Sequence, residues 1–249
     1  MASTPSFEDL PLEAVIHAAH YDHHHRSVGS GGPRAAVFGA SDGLVSNAAL
    51  ILGVAAADPS ASVVRLAGIA GLIAGAVSMA AGEYISMRAQ QELFERELAI
   101  ERRAQQANPA LETLELVKIY ESRGITSELA HELADAVMSD PKVALEVHAR
   151  EELGIDPDDL GSPWVAGGWS FVAFAVGALL PLLPWFVGSG GAALAGSIVA
   201  GLLGAATLGA LVGYFSGRSL PFAAGRQVLI TALAAAITYG IGSVVGVSV

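Results

Sequence analysis

The chain has 249 residues, 53% of them hydrophobic and 15% charged, with a formal net charge of −11. Soluble domains carry roughly 25% charged residues, so this is a membrane composition. The absence of cysteine excludes disulfides, thiolate metal sites and a cysteine nucleophile, and the acidic balance argues against nucleic acid and for cations as partners.

Residues 1–33 form a polar segment with acids, no basic start and no apolar core, which reads as neither a signal peptide nor a transit peptide. His17, His20, His23, His24 and His25 cluster there. They suit either a weak metal-capture arm or, more simply, a polar tail. A spanning helix needs about 20 mostly apolar residues. Five segments qualify: 35–57, 63–87, 165–187, 192–215 and 222–247. The expected fold is therefore an all-α membrane protein. Two spans lie within residues 34–89 and three within 163–249, with a charged helical insert over 90–162. Glycines at four-residue spacing, Gly71/Gly75, Gly209/Gly213/Gly217 and Gly242/Gly246, are expected to let helix backbones approach closely.

Residues 90–160 hold 17 of the 24 Asp and Glu residues. This block reads as four helices. The first, 90–106, continues the second span without a break and ends at Asn108-Pro109. The second, 111–122, is ended by Gly124; the third starts at Thr126 or Ser127 and closes at Asp140-Pro141; the fourth, 142–153, is ended by Gly154. With the N-terminus in the cytoplasm, five spans put 12 of the 13 Lys and Arg residues inside and only Arg65 outside. That bias predicts a cytoplasmic acidic block.

Asp42 lies within the first span. An acid at mid-membrane costs roughly 2.5–3.5 kcal/mol, so it is expected to face a cavity or a partner, unless it caps a helix broken at Gly43 or sits near the membrane interface. Met79, Glu83 and Met87 share one face of the second span. Thioethers beside a carboxylate suit a borderline ion such as Fe²⁺, while a packing stripe is the plainer reading of the methionines. In the insert, Glu92/Glu95, Glu97/Glu101, Glu112/Glu115 and His148/Glu152 are spaced to share helix faces. Glu128 and His131 have the Glu-x-x-His spacing of di-iron bundles. Each pair alone suits a solvated surface, but like charges so placed destabilise helices unless a cation offsets them. No nucleotide-binding, hydrolase or zinc-protease motif is present.

FGASDGLVSNAAL in the first span, GAVSMAAGEYIS in the second, the charged insert ending in REELGI and FVAFAVGALLPLLPW in the third resemble the vacuolar iron transporter family. The resemblance implies a homodimer that exchanges Fe²⁺ for protons along a pathway between protomers, at the positions of Asp42 and Met79. It further implies a cytoplasmic metal-binding domain at Glu101, Glu112, Glu115 and Glu152. Three positions depart from the family pattern. A second-span Glu is Gly71 here, with Glu83 as its candidate replacement. A Glu of the first cytoplasmic helix is Ala104, with Glu97 as the candidate substitute. A cytoplasmic Met is His148. Glu128 and His131 match no metal position of the family.

The expected function is a secondary active transporter exporting Fe²⁺, or another divalent ion such as Mn²⁺, Co²⁺ or Zn²⁺, in exchange for protons. It needs no prosthetic group, and the short chain without an organelle signal favours a bacterial inner membrane. Two other classes are a membrane ferroxidase built on the carboxylates and a membrane-anchored metal sensor.

Overall fold

The computed structural model describes residues 31–154, 156–157 and 160–247; the N-terminal histidine cluster lies outside them. The described residues form helices and connections, with no strand among them. In chain order the helices are α1 (Gly31–Ala55), α2 (Ala61–Ala107), α3 (Pro109–Ser122), α4 (Ser127–Met138), α5 (Pro141–Glu151), α6 (Pro163–Leu182), α7 (Pro184–Val187), α8 (Gly190–Phe215) and α9 (Leu220–Val247). Five of these, α1, α2, α6, α8 and α9, are long and apolar enough to cross a membrane. The chain is thus an all-α membrane protein with five candidate spans.

α1 is the centre of the bundle. It packs chiefly against α6 and also against α9, α8 and α2. Its contact with α6 is made by glycines: a Cβ on Gly43 would meet the backbone of Phe174, and one on Gly177 the backbone of Ala40. The two backbones therefore touch, and dispersion between them replaces side-chain packing. The helix runs through Gly43 without a break, so Asp42 caps nothing.

The third span differs from the expected single helix over 165–187. It is divided at Leu183, between α6 and the short α7. Pro184 has no N–H to donate to the preceding turn, and its ring crowds that turn's carbonyl. Leu183 keeps helical dihedrals, so the backbone follows a helical course and the interruption is one of the hydrogen-bond ladder. Of the glycines expected to pack, Gly217 instead sits in the α8–α9 turn with φ 65°, a left-handed conformation that disfavours a side chain.

α2 has 47 residues, which at 1.5 Å per residue is about 70 Å. A bilayer core is about 30 Å thick, so the helix is much longer than a span needs, and its polar part from Arg88 to Ala107 extends past the apolar part. Its polar half joins α3, α4 and α5 in a small helical unit. Leu116 and Val117 of α3 pack there on Ala130 and Ala134 of α4. Asp140 caps α5 by accepting from the Lys142 amide at 2.8 Å, and Arg123 pairs with Glu151 to tie the end of α3 to α5. Gln91 donates to the Gly161 carbonyl at 2.7 Å, fastening the segment before α6 onto α2.

Candidate metal centre

The helical unit brings three buried polar groups to one point. Glu101 of α2, Glu112 of α3 and His148 of α5 are 6%, 5% and 0% exposed. One ligand-capable atom from each lies within 4.8 Å of the others. His148 Nε2 is 3.8 Å from Glu112 Oε2 and 4.0 Å from Glu101 Oε1. The ring is oriented by its other nitrogen, for Nδ1 donates to the Ala144 carbonyl at 2.9 Å. Glu101 is oriented in turn by Gln105, whose amide donates to Oε1 at 3.0 Å. Ligands fixed by such outer partners are what a metal site requires.

Glu112 also belongs to a second group. With Glu115 and the exposed Glu152 it places three carboxylate oxygens within 4.8 Å of one another. Burial pushes the Glu112 carboxyl up to about 7, helped by the charges of Glu101, Glu115 and Glu152 and opposed by His148. Glu152 is also raised, first by burial and then by Glu101 and Glu115. Carboxylates held together in this way repel one another, and a divalent cation would offset that repulsion. The donor set of four carboxylates and one imidazole fits Fe²⁺, Mn²⁺, Co²⁺ or Zn²⁺.

The structure thus gathers Glu101, Glu112, Glu115, His148 and Glu152. It does not gather Glu97, which is half-buried one turn before Glu101 and belongs to neither group. Gln105 was not singled out from sequence; its position four residues after Glu101 is the signal that was available. Glu128 and His131 are exposed, and the His131 ring bonds the Ser127 carbonyl.

The span residues are arranged differently. Asp42 lies near the middle of α1 on an exposed stripe with Phe38, Ser46 and Leu50, and has no carboxylate or cation partner among the described residues. Met79 is half-buried against Ala76, Phe174 and Ala178. Glu83, one turn further along α2, faces Arg34 at 3.7 Å and is 15% exposed. Spacing along α2 did not reveal this ion pair, because its cation is on another helix. Met87 is buried.

Five apolar helices, and a buried Glu/His cluster where the extension of one of them meets two shorter helices, describe a membrane protein with a candidate cation site. The family model described as the VIT family matches residues 33–243. The chain belongs to the VIT family. It is 36% identical over 227 residues to the vacuolar iron transporter of Acanthamoeba castellanii, covering 88% of this chain and 81% of that protein. Rice vacuolar iron transporter 2 is 32% identical over 210 residues, 84% of this chain and 85% of that protein. Rice vacuolar iron transporter 1 is 30% identical over 249 residues, 98% and 99% of the two chains.

Proposed function

We propose that this protein is a secondary active transporter that moves Fe²⁺ out of the cytoplasm in exchange for protons, working as a homodimer with its acidic helical unit on the cytoplasmic side. The observation that carries this reading is the continuity of α2. One unbroken helix holds Met79 and Glu83 in its apolar half and Glu101 of the buried cluster in its polar half. The names of the relatives support iron as the cargo, and the excess of basic residues on one side supports the orientation.

In this mechanism the Glu/His cluster concentrates the cation beside the membrane. Asp42 then receives it within the span, with Met79 offering a thioether from α2. A carboxylate that binds the cation cannot hold a proton at the same oxygen. Cation and proton therefore occupy Asp42 alternately, which is the minimal requirement for exchange. Glu83 is released to take part only when Arg34 moves away from it.

The test is Fe²⁺ uptake into proteoliposomes under an imposed pH gradient. Wild type moves Fe²⁺ only with the gradient, and Asp42→Ala stops movement while metal binding by the Glu/His cluster persists. Equal transport by Asp42→Ala would refute the mechanism. Metal competition in the same assay ranks Fe²⁺ against Mn²⁺, Co²⁺ and Zn²⁺.

A further inference from the structure

The last part of the chain carries two positive charges and no acid to balance them. Residues 161–249 contain no Asp or Glu, and Arg218 and Arg226 are their only basic side chains. Both arginines line one cavity of about 210 Å³ between the end of α8 and the start of α9, together with Gly213, Ser216 and Phe222. Among the described residues neither guanidinium is paired with a carboxylate. By contrast Arg34, Arg88, Arg123, Lys142 and Arg150 each face one.

The surroundings specify the kind of anion. Tyr214, Phe215, Leu220 and Phe222 beside the cavity are 68%, 60%, 45% and 66% exposed, so an apolar skirt surrounds the two charges. Arg226 lies six residues into α9, about 9 Å along a candidate span, where an unbalanced cation is costly. The Ser216 hydroxyl is used internally, donating to the Val212 carbonyl, which leaves the guanidiniums as the recognition groups. Planar guanidinium groups match phosphate oxygens two at a time. Basic cavities between helices at the membrane surface suit lipid head groups.

We infer that the α8–α9 cavity binds the phosphate of an anionic phospholipid through Arg218 and Arg226. The acyl chains lie against the aromatic and aliphatic skirt, and the phosphate neutralises the two cations. The inference rests on α8 and α9 being spans, and it is independent of the metal centre.

The test uses the full chain, purified in detergent and stripped of lipid. Native mass spectrometry and thermal melting are followed with phosphatidylglycerol, phosphatidylcholine and inorganic phosphate at matched concentrations. Phosphatidylglycerol alone is expected to stay bound and raise the melting temperature. Arg218→Gln/Arg226→Gln should weaken that binding by about tenfold or more, while Arg218→Lys/Arg226→Lys retains part of it. If the double Gln variant fails to fold, Arg226→Gln alone is read. Equal retention of phosphatidylglycerol by the Gln variant, equal binding of phosphatidylcholine, or no binding at all would each overturn the proposal. An equal shift with inorganic phosphate would make this a soluble phosphate site and overturn the lipid assignment.

Discussion

Glu112 is the residue on which the candidate metal centre turns, because it alone belongs to both carboxylate-containing groups. Glu112→Ala should therefore weaken binding of a divalent ion more than Glu115→Ala or Glu152→Ala, by roughly ten- to a hundredfold in calorimetric titration of the intact chain. Its protonation gives a second expectation. The folded carboxyl titrates near 7 against an ordinary value of 4.5. Between those values the folded state binds more protons than the unfolded state, so the stability of the metal-free protein falls as pH rises through that window. The loss is about 1–3 kcal/mol, complete above 7 and absent below 4.5. Melting temperature in a chelator should fall from pH 5 to pH 8, and Glu112→Gln should flatten that slope. An added divalent ion should restore more stability at pH 8 than at pH 5, because it replaces the lost proton. A slope unchanged in Glu112→Gln would remove Glu112 as its source.

Among the elements, the α1–α6 pair and α2 do different work. α1 and α6 meet backbone to backbone at Gly43 and Gly177, leaving no room for a side chain. Gly177→Val should therefore destabilise the bundle by about 1–3 kcal/mol or more, since the clash is with a neighbouring helix backbone that cannot rotate away. Loss of melting temperature in detergent checks this, and a tolerated Val would mean that the two helices can separate. α2 works through its length: a continuous helix holds the Glu/His cluster at a set distance and rotation from Met79 and Glu83. The α1–α6 contact was not among those expected from the glycine spacing in the sequence. Gly39 and Gly43 are also four residues apart, but only the fold shows that they and Gly177 face a neighbouring backbone.

For the whole molecule, the exposed stripe of α1 is the main consequence. An acid facing lipid at mid-span is unfavourable by roughly 2.5–3.5 kcal/mol, and Asp42 lies on the stripe formed with Phe38, Ser46 and Leu50. A second copy packed on this stripe would remove Asp42 from lipid and form a pathway between the protomers. The chain has no cysteine, so single introduced cysteines report cleanly. Ser46→Cys should form a disulfide-linked dimer in oxidised membranes, whereas Ile230→Cys, on an exposed position of α9, should not. A monomeric Ser46→Cys would place Asp42 against something other than a second copy.

Composition and periodicity were sufficient for the five spans, the continuation of the second span into the acidic block, and its division into four helices. Those features depend on local chemistry: apolar run length, helix-forming residues, and the prolines and glycines that stop helices. The interruption at Leu183 was legible in principle from Pro184, but it was hidden by the apolar run around it. Which acids meet was not legible locally. Glu101, Glu112 and His148 lie on three helices, and only their packing brings the ligand atoms within 4.8 Å and leaves Glu97 outside. Likewise Glu83 could not be matched with Arg34 by spacing along one helix, because the pair joins α1 and α2. Helix identity follows from neighbours in the chain, whereas coordination and ion pairing follow from neighbours in space, which only the packed helices determine.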